Sequence, residues 1–569
     1  MPLQAFRPSE NEVSKKLKPF FKYLLSVFPH PPKVMPVSRR QFLVSAAALA
    51  AASAASWQTW RHLNRLPPVS VRRPGLPPGH LLRDGMLAEG TDRPPSHRCG
   101  TLILGSGAAA LSALWYLVRN GHRDILLAEG LERNGNNAGF YDAELAAPTG
   151  AHYLALPPPE SVYVRLMLDD LGIMQNGVFN ETDLVYAPQE RLWYRGKWQE
   201  SLLPQQDADS RRFFALTGRL KTACGRDGRK IFAIPVALSS QDGEWRRLDR
   251  LTFAQWLARE GYRSPSLLWY LDYCCRDDYG RGIADVSAFA GLHYFCARGL
   301  HADAVLTWPD GLAHVSEALR RHCGLQTLAA LPAAAQWRFT APAAWDGAAV
   351  KIEEREDGAA VWLRGNADGK TVAVLARHVV CAMPLSVAAH IVADAPRYGL
   401  RPSESAPWLV GNFVLNRFPA EPNGSGLAWD NVVYGSPHLG YVAAGNQLIR
   451  TAKPPRTVFT SYTAPVHDTP RKVRRYLLDA DAGELLALAA ADLTAVYGSG
   501  FWRHVERVSL TVRGHGMAVP RPGYLDAAPP QTGRRSALFF AHSDMSGYSV
   551  FEEAAYWGVE AAKRILEAV

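Results

Sequence analysis

From Thr101 the chain runs through Leu102-Ile103-Leu104, the unbroken apolar pattern of a strand buried on both faces. Gly105-Ser106-Gly107-Ala108-Ala109-Ala110 follows, then the helical spacing of Leu111–Asn120, stopped by Gly121. A second apolar run, Asp124-Ile125-Leu126-Leu127-Ala128, ends on Glu129, 24 residues after Gly105. Strand, glycine turn, helix, strand and acid in that order predict a phosphate-binding βαβ unit. Gly105 makes the tight turn, Gly107 lets the backbone approach a pyrophosphate, and Ala110 stands where a third glycine is usual. The helix N-terminus stabilises the anion and the acid takes ribose hydroxyls.

Other stretches alternate instead. Val350-Lys351-Ile352, Ala360-Val361-Trp362-Leu363 and Val372–Leu375 are separated by turns near Asp357-Gly358 and Asp368-Gly369. They lead into His378-Val379-Val380-Cys381-Ala382 before Met383-Pro384, which predicts hairpins followed by a buried strand. Ala537–Ala541 reads as a strand and Phe551 to Leu566 as a closing helix. Leu251–Tyr262, Ser266–Tyr273 and Ala313–Arg321 also have helical spacing. Cys274–Gly280 reads as a turn rather than a metal site. Adjacent cysteines do not easily share one tetrahedral ion, no CxxC or HxxxH accompanies them, and no metal is expected.

Composition narrows the picture. The chain has 569 residues, 47% hydrophobic and 20% charged, which excludes wholesale disorder and exceeds one ordinary core. Seven cysteines are too sparse for a disulfide scaffold. The net charge of +10 belongs to residues 1–98, which carry 15 Lys+Arg against 5 Asp+Glu. The rest is electrically balanced, so nucleic acid is not an expected partner.

That basic stretch reads as an address. Ser38-Arg39-Arg40-Gln41-Phe42-Leu43 precedes the Ala-rich run Ala46–Ala55 and resembles a bacterial twin-arginine export signal. The resemblance implies the twin-arginine translocase as a partner and the periplasm as destination. Gln41 to Trp60 is 20 residues without a charge, about one membrane span. The segment is either cleaved around Ala52-Ser53-Ala54 or kept as an inner-membrane tether through residues 41–60. Met35, just ahead of the arginines, is an alternative translation start. Residues 1–56 therefore form the N-terminal region, and 57–98, with seven prolines, read as an extended linker.

Past Glu129 the turn Gly130-Leu131-Glu132-Arg133-Asn134-Gly135-Asn136-Asn137 resembles the flavin-containing amine oxidase and phytoene desaturase superfamily. There the ribose-binding Glu is followed by a Gly-Gly-Arg or Gly-Gly-Asn turn. Gly135 matches the first Gly, Asn136 replaces the second, and Asn137 matches the Arg/Asn position. Gly150-Ala151-His152-Tyr153 is similar to the family's Gly-Ala segment beside the isoalloxazine ring. His542-Ser543-Asp544-Met545-Ser546-Gly547-Tyr548 is similar to its closing turn, although Glu553 stands where a Gly is usual.

The resemblance implies an α/β fold with FAD as cofactor. Its Rossmann-like FAD-binding domain is assembled from 99–155, 301–395 and 511–569, and 156–300 with 396–510 form an inserted α+β substrate domain. Gly105, Ser106, Gly107, Ala108, Ala109, Ala110, Glu129, Gly135, Asn136, Asn137, Gly150, Ala151 and His152 are the implied cofactor contacts. So are Asp544, Gly547, Tyr548 and, on the adenine side, Val350 or Ala349.

In such proteins the cofactor carries the redox chemistry and the protein supplies orientation and a dry pocket. The implied reaction is oxidation of an amine or of an unsaturated lipid-like small molecule by hydride transfer to flavin N5. Many amine oxidases place a Lys near N5. The matching strand here is Val410–Phe418, where Asn412 takes that position and no Lys occurs between Lys370 and Lys453. His152 is the leading candidate for a catalytic residue near N5, with Asn412 second and Tyr434, Tyr441, Tyr462 and His515 as further pocket groups. A flavin-dependent desaturase or isomerase, and a non-catalytic electron-transfer or scaffold protein, are the alternatives.

Overall fold

The computed structural model describes residues 67–568, apart from 187–189, 299–303, 446–451, 453, 527–528, 531 and 533–535. The twin-arginine segment and residues 41–60 lie outside the described residues.

The apolar run around Leu102 becomes the strand His97–Leu104, and Leu102, Ile103 and Leu104 are buried as a central strand requires. It lies parallel between Ile125–Ala128 and Thr371–Cys381. Ala343–Trp345 and Gln326–Leu328 extend this sheet on one side. On the other, Thr371–Cys381 forks. Its first half pairs antiparallel with the hairpin of Gly358–Gly365 and Gly347–Arg355, and Val379–Cys381 pair parallel with Leu538–Phe540.

The helix Ala108–Arg119 packs along the C-terminal helix Phe551–Ala568. Their close approach rests on Gly558, where a Cβ would fall on the Ala109 carbonyl oxygen.

A second sheet runs Val69–Arg72, Val505–Ala518, Ser405–Leu415, Thr457–Thr463, Tyr441–Ala443, Asp430–Val433, Glu190–Tyr194 and Lys197–Gln199. A helical layer that includes Ala208–Leu220, Pro265–Tyr279 and Ala288–Cys296 builds its own aromatic core from Phe213, Phe232, Phe253 and Phe289. The short sheet of Tyr153–Ala155, Ala304–Thr307 and Leu184–Tyr186 joins the two parts of the chain.

Two local expectations give way. Residues 67–83 are not an extended linker: Val69–Arg72 is an edge strand parallel to Val508–Thr511, and Leu76–Arg83 is a helix. Pro77 and Pro78 open that helix, where a missing N–H costs nothing, so the prolines that suggested a linker mark a helix start instead. Cys274 to Tyr279 continue the helix begun at Pro265, which stops at Gly280 with φ +65°.

Candidate active site

The nucleotide loop needs its first glycine. Gly105 has φ +109°, and a Cβ there would lie 2.7 Å from the Ala382 carbonyl oxygen. Ser106 is buried; its Oγ donates to the Glu129 carbonyl (2.7 Å) and accepts from the Asn134 N–H (3.1 Å). Gly107 caps the helix without any side-chain bond, and a Cβ on it would meet nothing within 4 Å. The N–H groups of Ala108, Ala109 and Ala110 lie in the first helical turn, where no intrahelical acceptor reaches them, an anion cradle that fits the diphosphate of FAD.

The turn after Glu129 folds back over this loop. Asn134 and Gly135, with φ +64° and +55°, take the left-handed conformation, and a Cβ on Gly135 would sit 3.5 Å from the Gly107 Cα. Asn136 donates to the Gly516 carbonyl (2.9 Å), and its own carbonyl accepts from the Ala151 N–H (2.9 Å). A Cβ on Gly150 would collide with that carbonyl, so the Gly-Ala segment is pinned directly against the turn. Asn137 donates to Ser316 Oγ at 3.3 Å.

Glu129 is engaged by a residue that sequence reasoning did not find. Arg320 grips both carboxylate oxygens at 2.7 and 2.6 Å and also donates to Asn134 Oδ1 at 2.8 Å. Each oxygen keeps a second lone pair for a ribose hydroxyl.

The remaining cofactor candidates separate. Asp544 accepts from the Leu385 N–H at 3.0 Å; burial pushes its carboxyl up, but His542 and that N–H hold it below the usual range. Val350 packs with Ala360, Trp362 and Ala373, while Trp345 and Gly347 accept the backbone N–H groups of Glu129 and Gly130. Gly547 has φ +73°, and the turn it makes sends Tyr548 into the helical core. There the Tyr548 ring stacks on His293 (4.9 Å, 21°) and its hydroxyl pairs with Tyr524.

Beyond Gly150 the walls are aromatic. His152 stacks on Tyr462 (4.4 Å, 27°) and lies 5.4 Å from the Trp429 ring and 4.9 Å from Tyr153. Burial lowers the His152 imidazole to about 3, so it is neutral at physiological pH. Tyr462 donates to the Gly150 carbonyl at 3.2 Å.

Asn412 sits behind this wall, fully buried. Its amide donates to the Pro148 carbonyl (3.0 Å) and accepts from Thr460 Oγ1 (2.7 Å), so it props the 148–152 segment rather than presenting a group to substrate. Arg513 props the same segment: it donates to Thr149 O (2.9 Å) and Thr149 Oγ1 (3.0 Å) and pairs with Glu132. Of the other pocket groups, Tyr441 is spent on Tyr497 (2.8 Å) and Tyr434 is 37% exposed.

Three acids border the same aromatic region. Burial raises Glu190 and Asp277 to about 7 and lifts Asp430 well above its ordinary value, and the last two also feel the charge of Glu190. All three keep part of their surface uncovered although strongly desolvated. Glu190 and Asp430 carry no local sequence signal, because they come from strands about 240 residues apart that meet only in the folded sheet.

Glu553, at the start of the C-terminal helix, is a separate buried acid. One carboxyl oxygen accepts from the Val236 N–H (2.6 Å), and burial raises the group to about 7 against the lowering effect of Ser546 and that N–H. A folded-state value above the unfolded 4.5 favours the fold below pH 4.5, and that advantage is lost as pH rises through 7. Relative to Glu553→Gln, the wild type is expected to lose ~3 kcal/mol across this window. Melting curves of both proteins at several pH values check this; a pH-independent difference would refute it.

Comparison with known proteins agrees with this geometry. No curated protein sequence matches the chain. Among solved structures, a putrescine oxidase double mutant superposes with a TM-score of 0.55 at 14% identity, covering 83% of this chain and 99% of that one. Cyclohexylamine oxidase from Brevibacterium oxydans IH-35A gives 0.54 at 14% identity over 83% and 99%. A fatty acid isomerase from P. acnes gives 0.54 at 17% identity over 82% and 98%. At these identities the likeness shows the fold alone. The model of the flavin-containing amine oxidoreductase family matches residues 111–566. The chain belongs to that family and is an FAD-dependent oxidoreductase.

Proposed function

We propose that this protein oxidises an amine in the space between the Gly150–His152 segment and the wall formed by Glu190, Asp277 and Asp430. FAD, when bound, would supply the two-electron acceptor for the C–H bond next to nitrogen. The chain does the rest. Neutral His152, Tyr462 and Trp429 offer aromatic surface that excludes water and orients an alkyl chain. The observation that carries the choice of an amine over a lipid-like substrate is the acidic wall, since desolvated carboxyl groups are costly beside hydrocarbon and favourable beside a cation.

Purified FAD-loaded protein tests this without air. Bleaching of the flavin absorbance by primary amines, with peroxide released once air is admitted, is the expected result. Bleaching by unsaturated lipids and by no amine would sink the reading.

The proposal includes export. Arg39-Arg40 ahead of an uncharged stretch supports delivery of the folded, FAD-loaded protein to the bacterial periplasm by the twin-arginine translocase, with residues 41–60 as a possible inner-membrane tether. Arg39→Lys together with Arg40→Lys should leave the protein in the cytoplasmic fraction; unchanged fractionation counts against export.

A further inference from the structure

A cavity of about 560 Å³ lies where the chain leaves the edge strand Val69–Arg72 and meets the turn after Glu129. Arg72 and Arg73 line it together with Leu131, Arg133 and Tyr141. None of the residues implied as cofactor contacts is part of its lining, so it is a space separate from the nucleotide loop. It opens to the surface, since the Arg72 side chain is 55% exposed and Tyr141 59%.

The charges around this cavity do not cancel. Glu317 is held by Arg133 (2.9 and 2.7 Å), Glu132 by Arg513, and Glu129, behind the same turn, by Arg320 (2.6 Å). Arg72 and Arg73 are left over. Arg73 donates to the carbonyls of Ala480 (2.7 Å) and Leu477 (3.4 Å), which fix its guanidinium without neutralising it. Among the described residues the Arg72 side chain has no hydrogen bond and comes no nearer to a carboxylate than 3.9 Å, at Glu132. Two guanidinium groups in excess attract an anion, and their planar donors match phosphate oxygens.

Two further observations say what carries that phosphate. Leu131, 41% exposed, and Tyr141 put apolar surface at the same opening, which suits hydrocarbon and not a free, hydrated ion. Between Trp60 and Arg83 the chain also holds Arg61, Arg65, Arg72 and Arg73 and no Asp or Glu, the charge pattern of a segment drawn to anionic lipid. Arg72 follows the uncharged stretch 41–60 by 12 residues, no more than ~43 Å of extended chain. We propose that the cavity holds the phosphate of an anionic phospholipid, with Arg72 and Arg73 on its oxygens and Leu131 and Tyr141 against its glycerol and first acyl carbons. This face of the protein then rests on a membrane. The inference goes beyond amine oxidation and does not depend on it, and the cavity binds lipid whether or not the leader is kept as a tether.

The test titrates the FAD-loaded full chain, in neutral detergent, with dihexanoylphosphatidylglycerol, dihexanoylphosphatidylcholine and inorganic phosphate, followed by calorimetry. Short-chain lipids need no vesicle, so insertion of residues 41–60 into a bilayer does not enter the comparison. Phosphatidylglycerol should bind at least ~10-fold more tightly than phosphatidylcholine, whose trimethylammonium group would face two arginines. It should also bind more tightly than inorganic phosphate, which has nothing to place on Leu131 and Tyr141. Arg72→Gln should weaken phosphatidylglycerol ~5-fold, and Arg72→Gln with Arg73→Gln ~20-fold, with flavin absorbance unchanged. Arg72 is exposed, so the single variant decides the matter even where the double variant does not fold. Equal binding of the two lipids, or undiminished binding by Arg72→Gln, overturns the site. Inorganic phosphate binding as tightly as phosphatidylglycerol makes it a free-anion site and overturns the lipid. Loss of flavin from Arg72→Gln assigns the cavity to the cofactor and overturns it as well. Failure of export in cell fractionation leaves all of these outcomes readable.

Discussion

Gly558→Val is expected to yield protein that cannot retain FAD. A Cβ at this position falls on the carbonyl oxygen of Ala109 and within 3.1 Å of the Ala113 nitrogen, both backbone atoms of the helix that opens at the nucleotide loop. Backbone cannot rotate aside as a side chain can, so valine has to push the two helices apart. Overpacking a well-filled core costs ~1–3 kcal/mol, and contact with a helix backbone places this site at the upper end or beyond. The damage is directional: the helix displaced is the one whose first-turn N–H groups form the anion cradle. Flavin-to-protein absorbance ratio and urea midpoint should both fall, and a Gly558→Val protein that purifies with full flavin would show that the helices do not meet here as described.

The second large effect is expected at Arg513. Replacement by Met keeps the volume but removes the donors to Thr149 and the partner of Glu132. The exposed Arg72, 3.9 Å from Glu132, offers little compensation. Breaking one side of a buried ion pair costs ~3–5 kcal/mol. Thr149 leads into Gly150-Ala151-His152, so flavin affinity should fall along with stability. Adding Glu132→Gln removes the orphaned charge and should recover part of the stability but not the hold on Thr149. If the double variant is no more stable than Arg513→Met alone, the ion pair is not what the arginine contributes.

These two sites differ in how far they could be read from the sequence. The βαβ unit from Thr101 to Glu129 was legible because every part of it is local. Its glycines have one conformational reason each, and its helix and strands follow at fixed spacing. Arg320, Arg513, Glu190 and Asp430 were not legible, since a lone charge acquires meaning only when strands or helices distant in sequence bring it to a partner.

Val350 is a subtler case. The strand carries a register shift between Ala349 and Lys351, which breaks the period-two pattern on which facing is judged. The direction of Tyr548 follows a single left-handed glycine before it, a feature the letters permit but do not announce. In the proline-rich stretch, composition argued for a linker, whereas two valines at alternate positions were enough to add an edge strand.

That edge strand has a kinetic consequence. Among the described residues Val69–Arg72 pairs only with Val508–Thr511, made more than 430 positions later. At ~5–20 residues per second, the ribosome needs roughly 20–90 s to cover that distance, and throughout it the strand has no partner. The stretch directly behind the proposed leader is therefore the last edge of its sheet to close. Its docking therefore waits until that sheet has been synthesised almost to its end.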